Sequence, residues 1–219
     1  MHPAILLFAR SPEREASAKR MRVRAPLFRA LVASWLDAAR RHNATPVIAC
    51  EAEDRDALAS IAPEIAREWI EQRGDTFGAR VARAADDAFA RGFDAVLVAA
   101  IDAPPHDLGN ALRKLAAGTP VVSPSRDGGI NYIGLVQPEP ELLRQLEIDR
   151  RDLLAVFRNF HTLTGTIDLD NEAALNIAKR DRAWRDLLPQ TPTAQPRNRA
   201  TAQPLLVPAR APRAPPQTA

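Results

Sequence analysis

Residues Ala95-Val-Leu-Val-Ala-Ala-Ile101 run for seven positions without a polar side chain. A strand with two apolar faces has to be covered on both, which is typical of parallel sheets sandwiched between helices. A sheet open to water on one side would alternate polar and apolar residues instead. Directly after the run the chain reads Asp102-Ala-Pro-Pro105. The run therefore predicts a central strand of a layered α/β fold that ends in an acidic, proline-stiffened turn.

The rest of the chain fits that frame. Residues 4–9 (AILLFA) read as a second buried strand, stopped by Arg10, Ser11 and Pro12. Thr45–Cys50, a short apolar stretch at 68–70, Pro120–Pro124, Ile130–Val136 and Thr166–Asp170 supply further strands. Between them, helical spacing predicts helices over Pro26–His42, 54–61, Phe77–Ala90, 107–117, Arg151–Phe160 and Asn171–Leu188. Strands alternating with helices argue for a mostly parallel open sheet with helices on both faces.

From Gln190 the pattern stops. Seven of the chain's 19 prolines fall in these last residues, together with Arg197, Arg199, Arg210 and Arg213 and no acid. A folded domain over 1–189 followed by a disordered Pro/Ala/Arg-rich tail over 190–219 is expected. The net charge of +3 belongs to that tail, because the body carries 26 basic against 27 acidic residues. A body so balanced lacks the electrostatic footprint of a DNA-binding domain, so no specific nucleic-acid partner is expected. Cys50 is the only cysteine, which excludes an intramolecular disulfide and a cysteine-based metal cluster. No apolar run approaches the ~20 residues of a membrane span, and the one near the N-terminus is short for a secretion signal. A cytoplasmic protein is the expectation.

Four constellations carry candidate chemistry. Asp102 sits at the carboxyl end of a strand, where open α/β sheets bind their ligands. A carboxylate there suits Mg²⁺ or Mn²⁺, which take oxygen ligands and bridge to phosphates; the plainer alternative is a helix cap. Ser125-Arg-Asp-Gly-Gly129 pairs a second carboxylate, Asp127, with Gly128 and Gly129, which let a backbone approach a ligand, or else it is a simple hairpin turn. Gln72-Arg-Gly-Asp-Thr-Phe-Gly78 leads into a helix N-terminus that can receive phosphate, or it is loop punctuation with Asp75 or Thr76 as cap. A basic loop after the first strand holds Arg10, Arg14, Lys19, Arg20, Arg22 and Arg24, which would clamp a diphosphate or lie solvated. The four histidines show no metal-ligand spacing, and His106 reads as an exposed loop residue. Hydrolase-elbow, Walker and dinucleotide-binding glycine motifs are absent.

Taken in order, three segments form a more specific pattern: Gln72-x-Gly-Asp-x-x-Gly-x-Arg80, Ala95 to Pro104, and Ser123-Pro-Ser-Arg-Asp-Gly-Gly-Ile-Asn-Tyr-Ile-Gly-Leu135. Together they resemble the DUF2064 family, small bacterial glycosyltransferase-like proteins of the GT-A type, over roughly residues 4–188. Thr166-Ile-Asp-Leu-Asp170 also resembles the acidic ending of GT-A nucleotidyltransferases. The resemblance implies a nucleotide-diphospho-sugar transferase fold with Asp102 in the metal position, holding Mg²⁺ or Mn²⁺. It puts the Gln72 to Arg80 box, with Gln72, Gly74, Asp75 and Arg80, on the nucleotide side. From the residues themselves, Asp127 is the candidate catalytic carboxylate, and Arg10, Lys19, Gly128 and Gly129 are further candidate nucleotide contacts. Two departures stand out. The family's Pro-x-x-Gly-x-x-Lys-Thr-Arg-Leu is here Pro12-Glu-Arg-Glu-Ala-Ser-Ala-Lys-Arg-Met21, and its Gly-Thr before the central aspartate is Ala100-Ile101.

Three functions compete. The first is metal-dependent sugar transfer from a nucleotide-diphospho-sugar donor. The second is nucleotidyl transfer on the same fold, since Ser17-Ala-Lys-Arg-Met21 resembles the Ser-x-x-Arg-Met of molybdenum-cofactor nucleotidyltransferases. The third is a GT-A-like binding protein without turnover, because a fold does not dictate a function.

Overall fold

The structure is a computed structural model that describes residues 1–21, 24–61, 63, 69–146 and 152–188. All of them fall within the unit Met1–Pro189, and the tail expected from Gln190 onward lies outside the described residues. The strands are β1 (Pro3–Phe8), β2 (Thr45–Cys50), β3 (Trp69–Glu71), β4 (Ala95–Ala100), β5 (Val121–Pro124), β6 (Ile130–Leu135) and β7 (His161–Thr162). The α-helices are α1 (Pro12–Ala18), α2 (Ala25–Arg41), α3 (Arg55–Ala59), α4 (Phe77–Ala90), α5 (Leu108–Ala116), α6 (Pro140–Leu143), α7 (Leu153–Val156) and α8 (Glu172–Ala178).

The strands form one sheet in the order β3-β2-β1-β4-β6-β5-β7. β1 through β4 run parallel, with Ile5 beside Pro46 on one side and Leu97 on the other. β6 is antiparallel to both β4 and β5. That reversal follows from the turn at Asp127-Gly128, because a tight connection can only join antiparallel neighbours.

The central strand has the double burial that its composition demands. Leu97 and Ala99 of β4 pack with Trp35, Leu36, Ala111 and Leu112 of α2 and α5. Val96 and Val98 pack on the opposite face with Val81, Ala85 and Ala88 of α4. A third cluster joins Ala16, Phe28 and Leu31 to Ile167, Leu169, Leu175 and Trp184, so the C-terminal segment is anchored beside α1 and α2. Among the described residues no helix is long and apolar enough to cross a membrane.

Several expectations need correction. The stretch after β1 is a helix, with Pro12 in its first turn, where a missing N–H costs nothing. Thr166–Asp170 is not a strand: its β-pairing is one isolated bridge, between Ser125 and Thr166. The helix expected over Asn171–Leu188 is two pieces. α8 ends at Ala178, and Asp181 then accepts from the Ala183 N–H and starts a separate 3₁₀ turn over Arg182–Trp184. The helix expected over Arg151–Phe160 is α7 alone among the described residues, Arg151 lying outside them.

Candidate functional site

Asp102 follows β4 by two residues and is held there from three directions. The Trp35 indole donates to the Ala103 carbonyl at 2.8 Å, fixing the turn against α2. The Leu169 N–H donates to the Asp102 carbonyl at 2.9 Å, drawing the C-terminal segment over the strand end. Lys19, at the C-terminus of α1, reaches in with its ammonium 2.6 Å from Asp102 Oδ2. The helix-cap alternative for Asp102 does not apply, because the N-cap position of α5 is Asp107.

The contact through Leu169 has a chemical consequence. It sets Asp168 and Asp170 on either side of a buried leucine and turns both toward Asp102. One carboxylate oxygen from each of Asp102, Asp168 and Asp170 lies within 4.8 Å of the other two. The Lys19 ammonium, 2.7 Å from Asp170 Oδ1 as well, bridges two of the three. Burial works against the Lys19 charge, but Asp102 and Asp170 outweigh it and hold the ammonium above its usual pKa. Asp168 has the opposite fate. Burial, and then the neighbouring Asp102, push its carboxyl up to about 7, although the Ser125 hydroxyl donates to it. Glu15, nearly buried beneath the cluster, is raised by burial and by Asp102.

Three oxygen donors at this spacing fit a hard divalent cation such as Mg²⁺ or Mn²⁺. The donor set itself makes the case. Three carboxylates gather around one ammonium, and burial with the neighbouring Asp102 carboxylate raises the Asp168 carboxyl, a repulsion that a bound cation would relieve.

Two cavities meet at Asp102. The larger, about 390 Å³, is bordered by Asp102, Asp127, Asp168, Asp170, Lys19 and Gly129 together with an apolar wall. The smaller, about 200 Å³, is bordered by Arg10, Glu15, Lys19, Gln72, Arg80 and Asp102. Phe8 and Phe77, in edge-to-face contact at 5.5 Å, border both.

The sequence-predicted residues sort accordingly. Asp102, Asp127, Lys19 and Gly129 meet at the larger cavity, and Arg10, Gln72 and Arg80 at the smaller. Gly128 takes a positive φ of 98° in the turn, where a side chain would be strained. Gly129 donates its N–H to Asp127 Oδ1 at 2.9 Å, closing that turn. Gly74 and Asp75 are exposed in the loop ahead of α4 and border neither cavity; Thr76 is the cap, accepting from the Ala79 N–H. Gln72 commits its amide nitrogen to the Ala49 carbonyl at 2.8 Å, so it also ties this loop to β2.

The basic segment is mostly spoken for. Arg14 pairs with Glu51 and Asp54, and Arg24 with Glu172, while Arg22 lies outside the described residues. His106 is not an exposed loop residue. It is half-buried, its ring nitrogens 2.8 Å from Ser123 Oγ and 2.9 Å from the Pro104 carbonyl, and burial lowers its pKa. Asp168 and Asp170 are the functional candidates that residue-by-residue reading passed over. Their signal was the alternation of two acids in Ile167-Asp-Leu-Asp170, where alternate residues share a side in extended chain.

A family profile described as "Uncharacterized protein conserved in bacteria (DUF2064)" matches residues 34–149. Among solved structures, a provisionally assigned nucleotide-diphospho-sugar transferase from Desulfovibrio desulfuricans G20 superposes with a TM-score of 0.70 at 22% identity, over 84% of this chain and 91% of its own. The 4-diphosphocytidyl-2C-methyl-D-erythritol synthase of Anaerococcus prevotii superposes with a TM-score of 0.51 at 10% identity, over 80% of this chain and 95% of its own. At these identities the likeness is one of fold. No curated protein matches the chain in sequence.

Proposed function

The chain belongs to the DUF2064 family, and from that premise we propose that it is a divalent-cation-dependent transferase that takes a sugar from a nucleotide-diphospho-sugar donor. The observation that carries this reading is the cluster of Asp102, Asp168 and Asp170 at the carboxyl end of the central strand, between two cavities. It is supported by the fold shared with a structure whose name is that of a nucleotide-diphospho-sugar transferase.

In this reading the three aspartates hold the cation, which when bound supplies positive charge to the leaving diphosphate. Arg10, Lys19 and Arg80 add fixed cationic charge on the smaller-cavity side, where the nucleotide lies. Gln72, Gly74 and Asp75 form the loop beside it, and the Gly128-Gly129 turn brings Asp127 to the rim of the larger cavity. Asp127 is exposed and accepts only from Gly129 among its described contacts, so its second oxygen is free to take a proton. The acceptor oxygen forms a bond to the anomeric carbon as the bond from that carbon to the diphosphate oxygen breaks. The electron pair of the broken bond leaves with the nucleoside diphosphate, and the acceptor's proton passes to Asp127. A cytoplasmic setting suits a chain whose single cysteine is buried and unpaired.

Incubation with a panel of nucleotide sugars and nucleoside triphosphates, with Mn²⁺ or Mg²⁺, tests the reading. Metal-dependent release of a nucleoside diphosphate from a nucleotide sugar is the expected result. Pyrophosphate release from a triphosphate would assign nucleotidyl transfer instead. Silence across the panel would favour a binding protein without turnover.

A further inference from the structure

We propose that the larger cavity receives an acceptor alcohol with an apolar body, hydroxyl toward the aspartates and hydrocarbon against the α4 face of the sheet. The proposal rests on the transferase reading and names its acceptor class. The polar groups of this cavity are concentrated: Asp102, Asp168 and Asp170 lie within 4.8 Å of one another, with Lys19 between two of them. Asp127, Gly129, Asn131 and Tyr132 also border it, and the apolar part of the wall is Ala100, Val81, Val98, Ile130, Ile133, Leu146 and Leu153, with Phe8 and Phe77 at its border with the smaller cavity. These apolar side chains, Ala100 aside, belong to the hydrophobic cluster between the sheet and α4 or pack against it, so the apolar part of the wall is continuous with the core.

Of the bordering residues, Tyr132 spends its hydroxyl within the protein, while Asn131 keeps a buried Oδ1 without a hydrogen-bond partner among the described residues. The Tyr132 hydroxyl donates to the His106 carbonyl at 2.8 Å. Asn131 is 2% exposed and spends its amide nitrogen on the Pro124 and Thr166 carbonyls. A sugar laid along the apolar part of the wall would turn hydroxyls against aliphatic groups that cannot bond them, giving up hydrogen bonds to water there without replacement. A hydrocarbon meets no such loss and is driven in by the same surface. The volume, about 390 Å³, is within the range that encloses small organic ligands. Because both cavities meet at Asp102, an alcohol seated this way has its oxygen beside the donor's anomeric carbon. There it gives its proton to Asp127 as the diphosphate departs with the bonding pair.

Calorimetric titration of the full chain, with Mn²⁺ and UDP present, uses the straight-chain alcohols from butanol to octanol, and glucose as the polar counterpart. Affinity is expected to rise about threefold to fourfold per added methylene, the transfer free energy of a buried CH₂ expressed as a ratio. Glucose is expected to give no saturable heat. Ile130→Asn, at a half-buried wall position, is expected to weaken octanol at least tenfold, with circular dichroism reporting whether the variant folds. Should it not fold, the wild-type chain-length series decides alone. Affinity that ignores chain length, or glucose binding more tightly than octanol, overturns the proposal. If the series holds but UDP and Mn²⁺ fail to bind, the transferase reading falls and the cavity's preference for an apolar ligand stands.

Discussion

Lys19 donates to Asp102 across 2.6 Å, joining residues 83 positions apart in the chain and bringing a helix end to the tip of the central strand. The side chains are 15% and 17% exposed, so water screens the pair only in part. The ammonium thus does in the free protein some of what a bound cation would do. Lys19→Met leaves three carboxylates together without it. Without metal the variant is expected to lose about 2 kcal/mol, less than the ~3–5 kcal/mol of breaking a fully buried pair, because Asp170 is half exposed. For a domain of this size that is a fall of about 4–8 °C in Tm. Millimolar Mn²⁺ should restore much of it. Equal melting of the two proteins in the presence of a chelator would show that Lys19 does not neutralise this cluster.

Asp168 makes stability depend on pH. Its folded-state pKa is raised, so between the ordinary aspartate value and about 7 the folded protein binds more protons than the unfolded chain. Stability therefore falls as pH rises through that window. Asp168→Asn removes the titration, and without metal the variant is expected to gain on wild type in thermal melts from pH 5 to pH 8. Mn²⁺ at saturation should cancel the advantage, since the ionised Asp168 is then paired. A wild-type-minus-variant difference constant across pH 5–8 would contradict the assignment.

Gly78, the last glycine of the Gln72–Gly78 segment, serves packing. It is buried on α4, and a Cβ there would come within 2.6 Å of the Arg144 carbonyl and 2.7 Å of the Leu143 carbonyl, backbone atoms at the end of α6. Gly78→Ala is expected to destabilise by about 1–3 kcal/mol, as overpacking does. Chemical denaturation should show a lower midpoint with unchanged metal affinity. A variant as stable as wild type would mean that α6 moves away freely.

How much was legible follows from where each signal is stored. β4 could be read to within one residue because double burial writes itself as an unbroken apolar run. α4 is found in full because its apolar stripe ends sharply at Thr76 and Gly92. α1 escaped because it shows the core little beyond Pro12, Glu15 and Ala16, too few apolar positions to reveal a period. β7 spans two residues and exists through its pairing with β5. The same limit hid two of the three aspartates of the candidate metal site. Asp102 stands beside a strong local signal, whereas Asp168 and Asp170 are brought to it by long-range contacts such as the Leu169 hydrogen bond to the Asp102 carbonyl, which no local pattern encodes. The cavity wall depends in the same way on α4, β6 and α7 meeting in space.

The central claim is that Asp102 works with Asp168 and Asp170 to hold a divalent cation and, through it, a nucleoside diphosphate. Asn is the informative replacement, since it keeps the size of the side chain and an acceptor for Lys19 while removing the charge. Titration calorimetry of Mn²⁺ together with UDP into wild type and Asp102→Asn tests this most directly. The account predicts metal-dependent UDP binding by wild type, at least tenfold weaker in Asp102→Asn, with a melting temperature within a few degrees of wild type or above it. Equal heats and affinities in the two proteins would contradict it.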